Sequence, residues 1–127
     1  MIQTGKDLLL KDLCGRLPYF VKVQIKNEIV VLDSICDDDG YHFNFIGEDR
    51  EGVNIEEIKP YLFPMSSMTE EQMEEYCQLQ QRIIYNSKGP INKDITEYIN
   101  WCYKNHLDIN DLIPMGLAID VTGKNIY

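Results

Sequence analysis

Apolar and polar positions change their period once along this chain, across Lys59-Pro60-Tyr61-Leu62-Phe63-Pro64-Met65-Ser66-Ser67-Met68-Thr69. Before that stretch the alternation is that of short strands; after it, the spacing is helical. Lys6 to Gly15 carries an apolar stripe of Leu8, Leu9, Leu13 and Cys14 and predicts a short helix, stopped by Gly15 and by Leu17-Pro18. Val21, Val23 and Ile25 alternate with Lys22, Gln24 and Lys26, the signature of a half-buried strand. A tight turn at Asn27-Glu28 leads to a second strand, Ile29 to Ile35. Asp37-Asp38-Asp39-Gly40 closes that strand, and Tyr41 to Ile46 forms a third. A charged loop, Gly47 to Gly52, precedes a short fourth strand from Val53 to Ile55. Ile55-Glu56-Glu57-Ile58 has the spacing of one 3₁₀ turn, and Tyr61 to Phe63, between two prolines, fits a fifth strand at a sheet edge.

The helix start that follows rests on several cues. Thr69 is an N-cap residue, and Gln72 stands where its side chain reaches back to the Thr69 amide, a capping box. Met68 and Met73 have the spacing of a hydrophobic staple, and Glu70 and Glu71 lie where the helix dipole favours negative charge. This helix is expected to run to about Asn86, with Met73, Tyr76, Cys77, Ile83 and Ile84 on its apolar face and Gln80 interrupting it, and to stop at Ser87-Lys88-Gly89-Pro90. Asp94, with Glu97 three residues on, predicts the cap of a second helix whose face holds Ile95, Tyr98, Ile99, Cys102 and His106. The short connection implies antiparallel packing of the two. Asp108 or Asn110 is placed to cap one or two more turns, ended by Gly116. Leu117 to Val121 reads as a last strand, and Thr122 to Tyr127 as a loosely held tail.

Four short antiparallel strands, a one-turn helix and a fifth strand is the order of SH3-like small barrels, which hide their edges by closure. The expected fold is therefore α+β. An N-terminal helix (1–17) precedes an SH3-like five-stranded β-barrel (18–64), and a helical C-terminal part (65–127) packs on it as one compact domain.

Charge and cysteines narrow the functional classes. The net charge of −9 is uneven: residues 1–26 carry five basic and two acidic groups, 27–86 three and fourteen, and 87–127 four and five. The acidic middle disfavours a phosphate backbone as partner, although Lys6, Lys11, Arg16, Lys22 and Lys26 make the N-terminal segment basic. No apolar run approaches the ~20 residues of a membrane span, and the N-terminus lacks the pattern of a signal peptide. Cys14, Cys36, Cys77 and Cys102 are scattered without a C-x-x-C pair, which points to free, mostly buried thiols and a cytoplasmic location.

Three phrases, Asp12-Leu13-Cys14-Gly15-Arg16-Leu17-Pro18-Tyr19, the Lys59 to Thr69 stretch, and Gly116-Leu117-Ala118, carry a resemblance. They look like those of a family of small proteins encoded by Bacteroides-type gut bacteria and their phages. The resemblance covers most of the chain. It implies a bacterial host cell as source and a domain layout, and no mechanism, since that family has no assigned activity. Phe20 stands where the family has a small residue, and Asn110 where it has arginine.

Candidate chemistry is sparse. Asp37-Asp38-Asp39 offers carboxylates for a divalent cation, but without EF-hand spacing a solvated turn explains it equally. Cys102 and His106, one turn apart, are two zinc-type ligands whose further partners would have to be Cys77 or His42. A buried thiol and a boundary imidazole on a packing face account for the pair without metal. No G-x-S-x-G, P-loop or G-x-G-x-x-G occurs. The expectation is a protein without catalytic, cofactor or metal site that binds another protein, with Trp101 and Tyr98 as contact residues because Trp and Tyr dominate interface hot spots. Self-association is left open. The rival readings are an acidic nucleic-acid mimic directed at a host DNA-binding protein, a nucleic-acid binder using the basic N-terminal segment and, more distantly, a small hydrolase.

Overall fold

The computed structural model describes residues 5–37, 41–85 and 91–127. Helix α1 (Gly5–Arg16) is followed by strands β1 (Lys22–Ile25), β2 (Glu28–Asp37) and β3 (Tyr41–Phe45). A 3₁₀ turn (Ile55–Glu57) leads to β4 (Lys59–Leu62). Helices α2 (Glu70–Tyr85) and α3 (Ile91–Lys104) come next, and the short strand β5 (Ile119–Asp120) comes last.

The fold is α+β, as the pattern predicts, but the sheet is open and mixed. Its order is β3-β2-β1-β4-β5, antiparallel except for the parallel β4–β5 pair. The predicted strand at Val53 to Ile55 does not form. The chain leaving β3 turns back and bridges it once, Phe45 to Glu48, then separates. Arg50 bonds to Glu48 and Glu28, which ties the departing segment to the start of β2, and Gly52 takes a positive φ that turns it further. Barrel closure needs the outer edge of β3 to be paired along its length, and here it is not. The fifth strand is supplied by the C-terminal part instead. Pro60, expected on an edge, sits in β4 between β1 and β5. Opposite Val23 its missing N–H is tolerated because the Tyr61 carbonyl faces β1 and the Leu62 carbonyl faces β5, so by alternation the Pro60 nitrogen faces the β5 side, where pairing begins only at Tyr61.

The β1–β2 turn also differs by one residue from expectation. Ile25 pairs with Glu28, so the central residues are Lys26 and Asn27, both at positive φ (49° and 67°), as a two-residue hairpin turn demands. The Asp38-Asp39-Gly40 turn lies outside the described residues.

Leu9 and Leu13 of α1 pack with Val21, Val23, Ile25, Val30, Leu32, Phe43, Phe45, Ile58 and Leu62 of the sheet region and with Leu112 and Ala118 from the C-terminal part. Gly15 does not stop α1. It lies in the last turn because the Tyr103 ring presses on it, and a Cβ there would overlap the ring. After the following 3₁₀ turn (Leu17–Tyr19), Phe20 reverses the chain at φ 56°, ψ 50°, a left-handed conformation that disfavours a Cβ, with its ring 64% exposed.

The capping box at Thr69 forms in both directions: Gln72 N–H donates to Thr69 Oγ1 (3.1 Å) and Thr69 N–H to Gln72 Oε1 (3.0 Å). The apolar face of α2 is rotated from expectation. Leu79 is its buried residue, with Tyr76 and Ile83 half-buried beside it, whereas Met73, Cys77 and Ile84 are exposed. Helix α3 begins before Asp94, which lies in its first turn and does not precede the helix. It ends in a Schellman motif, Leu107 N–H to Cys102 O (2.9 Å) and His106 N–H to Tyr103 O (3.0 Å), with His106 in the left-handed position usually held by glycine. Asp108 caps the next turn by accepting from Leu112 N–H (2.8 Å) and Ile113 N–H (2.9 Å), and Gly116 closes it in the same 6→1, 5→2 pattern.

Candidate functional site

Trp101 and Tyr98 meet at the α2–α3 seam. Tyr98 Oη lies 3.0 Å from Tyr76 Oη, and the Tyr76 ring contacts both Tyr98 (centroids 5.5 Å) and Trp101 (6.1 Å). Trp101 Nε1–H donates to Glu75 Oε2 at 2.8 Å. Burial, and then the bond with Tyr76, raises the Tyr98 phenol above its ordinary value, so it is neutral across physiological pH. Both residues are half-buried and contact α2 through Tyr76 and Glu75. They stiffen the two-helix unit and present one edge each.

Outside this cluster α2 carries a second apolar stripe. Met73, Cys77 and Ile84 share one side of the helix by spacing, and all three are exposed, Ile84 by 68%. Tyr85, 80% exposed, lies beside its end. Leu79 alone of this helix is buried among the described residues. The sequence pattern placed Met73, Cys77 and Ile84 on the core-facing side, and only the position of α3 shows otherwise.

The residues named for other chemistry are dispersed or occupied. Cys102 is fully buried, and burial pushes its thiol up to about 11. His106 does not turn toward it: the imidazole stacks on Tyr127, ring centroids 3.7 Å apart and 11° from parallel. Burial, then the positive Arg16 and Lys22, push His106 down to about 4. Cys14, Cys36 and Cys77 are free and exposed, against the expectation of mostly buried thiols. Each lies on a helix or strand face turned from the core. No group of three or more His, Cys, Asp or Glu side chains among the described residues is arranged to hold a metal ion. Of the acidic run only Asp37 is described.

Three of the five basic N-terminal residues, Arg16, Lys22 and Lys6, are engaged within the fold. Arg16 is fully buried. Its Nε donates to Asp12 Oδ2 (2.7 Å), and its Nη2 to Asp12 Oδ1 (3.1 Å) and to the Leu107 carbonyl (2.6 Å). Its guanidinium lies 4.8 Å from the Tyr103 ring centroid. Asn110 completes the arrangement by donating to Asp12 Oδ1 at 2.8 Å. Two full charges so deep in the fold persist only when paired and hydrogen-bonded, which these contacts provide for Nε and Nη2, while the buried Nη1 has no hydrogen-bond partner among the described residues. Lys22 turns to the C-terminus, donating from Nζ to the Ile126 carbonyl (2.5 Å), and Lys6 pairs with Glu56. A carboxylate four residues ahead of an arginine on a helix was visible in the sequence as an ion-pair spacing. Its burial was not.

The tail is docked. Tyr127 Oη accepts from the Lys22 amide (2.9 Å) and donates to the Tyr61 carbonyl (2.9 Å). Burial raises this phenol to about 12. Compared with known proteins, the chain matches no family model, no curated protein and no solved structure. No helix among the described residues is long and apolar enough to cross a membrane.

Proposed function

We propose that this protein is a non-enzymatic protein–protein interaction module, working in the cytoplasm of a bacterial host and of phage or mobile-element origin, as the resemblance of its Lys59 to Thr69 phrase implies. The observation that carries the reading is the second apolar stripe of α2. Met73, Cys77 and Ile84 lie in the open on a helix already braced on its other side by Tyr76, Tyr98 and Trp101. Exposed apolar side chains grouped on one helix side, Met73 with Cys77 and Ile84 with Tyr85 on either side of Gln80 and Gln81, mark a contact site, and a pre-stiffened helix loses little freedom on binding. Trp101 and Tyr98 act as the firm edge of the contact, and Ile84 and Tyr85 as its apolar anchors. The open sheet, with its 3₁₀ turn between β3 and β4, belongs to the same reading as a small scaffold that carries the helical pair.

The test compares the wild-type protein with an Ile84→Ser/Tyr85→Ser variant as bait in host lysate, alongside duplex and single-stranded DNA in a gel shift at low salt. The proposal expects a specific partner that the variant loses while its melting temperature is kept, and no saturable DNA shift. Equal capture by the variant, or tight DNA binding, overturns it. A partner released steeply by salt and competed by DNA favours instead the acidic mimic, for which Glu70, Glu71, Glu74 and Glu75 on α2 supply the charge.

A further inference from the structure

The outer edge of β3 is where the predicted fourth strand would have paired. The returning chain bridges it at Phe45–Glu48 and then parts from it. A cleft of about 550 Å³ opens between Tyr41–Asn44 on one side and Arg50–Asn54 on the other. Beyond that bridge no strand pairs with this edge among the described residues. An edge strand turns the N–H and C=O of alternate residues outward, a ready template for a further strand.

The two faces of the cleft differ. Tyr41 (53% exposed) and the buried Phe43 point to the core side, where Val53 and Ile55 stand opposite. His42 and Asn44 point to the other side, where the cleft continues into a second hollow walled by Asp33, Glu48, Asp49 and Glu51. The one cation there, Arg50, is already engaged by Glu48 and Glu28. Among the described residues Asp33, Asp49 and Glu51 form no salt bridge.

We propose that the open edge of β3 takes up an extended segment of a basic partner protein as an added strand, with apolar residues toward Tyr41 and Phe43 alternating with lysine or arginine toward Asp49 and Glu51. The proposal rests on the reading of the protein as an interaction module and assigns it a second contact, separate from α2. Main-chain pairing with β3 supplies affinity that is indifferent to sequence. The period-2 alternation supplies the choice of partner. The acidic wall disfavours a second copy of this acidic chain at the same edge.

The test uses a labelled peptide of alternating lysine and valine, its glutamate–valine counterpart as control, and the full-length protein. Anisotropy should show saturable binding of the first and none of the second. Amide exchange should slow by about tenfold or more at the outward-facing amides of Tyr41 and Phe43. The exposed charge reversal Asp49→Lys/Glu51→Lys should weaken binding on the order of tenfold or more, while Ile84→Ser/Tyr85→Ser leaves it unchanged. Absence of binding, or binding without protection at β3, overturns the proposal. So does strong protection of that edge in the free protein, which would mean that residues 51–55 occupy it. Protection that rises with protein concentration alone would assign the edge to self-association and overturns it as well. If the peptide fails while partner capture still depends on Ile84 and Tyr85, the β3 site is lost and the interaction-module reading stands.

Discussion

The hydroxyl of Tyr127 stands between Lys22 and Tyr61 where their backbones would otherwise pair directly. Val23 faces Pro60 and Gln24 faces Lys59, so the next pair in register is Lys22 with Tyr61. Instead the Lys22 amide donates to Tyr127 Oη and Tyr127 Oη donates to the Tyr61 carbonyl, each at 2.9 Å. The last side chain of the sequence thus continues a ladder between two strands, and its ring covers His106. Tyr127→Phe leaves both backbone groups unsatisfied. It is expected to cost about 1–3 kcal/mol, read by chemical denaturation, with faster exchange of the Lys22 amide. An unchanged midpoint would mean that water replaces the hydroxyl without loss.

Stability should depend on pH through His106. Its folded pKa, about 4, lies below the ordinary value of 6.5, so the unfolded chain binds the proton better. Stability is then complete above about pH 6.5 and falls as pH drops toward 4. The contribution at stake is at most ~3 kcal/mol, less whatever solvent screens at the exposed part of the ring. The buried Asp108 carboxyl, raised from its usual value, acts in the opposite sense toward the acid end, so the slope is cleanest just below pH 6.5. Denaturation at several pH values measures the slope. Tyr127→Ala uncovers His106 and should flatten it.

The Asp12–Arg16 pair should be costly to break from one side. Arg16→Met leaves a carboxylate fully buried with Asn110 as its remaining side-chain partner. A loss of about 3–5 kcal/mol is expected, visible as a large drop in Tm. Little change would show that Asp12 is protonated or reaches water in the variant.

Thiol reactivity should divide three to one. Cys14, Cys36 and Cys77 are exposed and Cys102 is buried, with its thiol at about 11. Titration with a thiol reagent at neutral pH should modify three groups in the native protein and the fourth only on denaturation. Four fast groups would contradict the packing of α3.

Thr69→Ala removes the acceptor of the Gln72 amide at the start of α2 and should cost about 1 kcal/mol, measured as a shift of the thermal melt. Thr69→Ser should retain most of it.

Wherever one local signal sufficed, the sequence by itself determined the element. The Thr69–Gln72 box started α2, the Val21-Val23-Ile25 alternation set the buried face of β1, Ile55 to Ile58 made its single turn, and Gly116 closed its loop. Each depends on residues within a few positions of one another, so the chain's own stereochemistry decides it. What distant segments decide was not legible. Val53 to Ile55 has strand-like residues, but Arg50 held by Glu28 and Glu48 and the turn at Gly52 carry the segment away from β3. The sheet therefore stays open there and takes its fifth strand from Ile119 and Asp120. Met73, Cys77 and Ile84 have the spacing of a core stripe, but α3 packs against Tyr76 on another side of the helix, and the stripe is left outside. Arg16 reads as a surface cation until Leu107, Asn110 and Tyr103 enclose it. Tyr127 reads as a loose end until the register of β1 and β4 leaves an amide and a carbonyl to be joined. Periodicity records which residues share a side. Which side faces another element, and which charges lose their water, depends on contacts between parts of the chain many residues apart, and only the tertiary structure decides those.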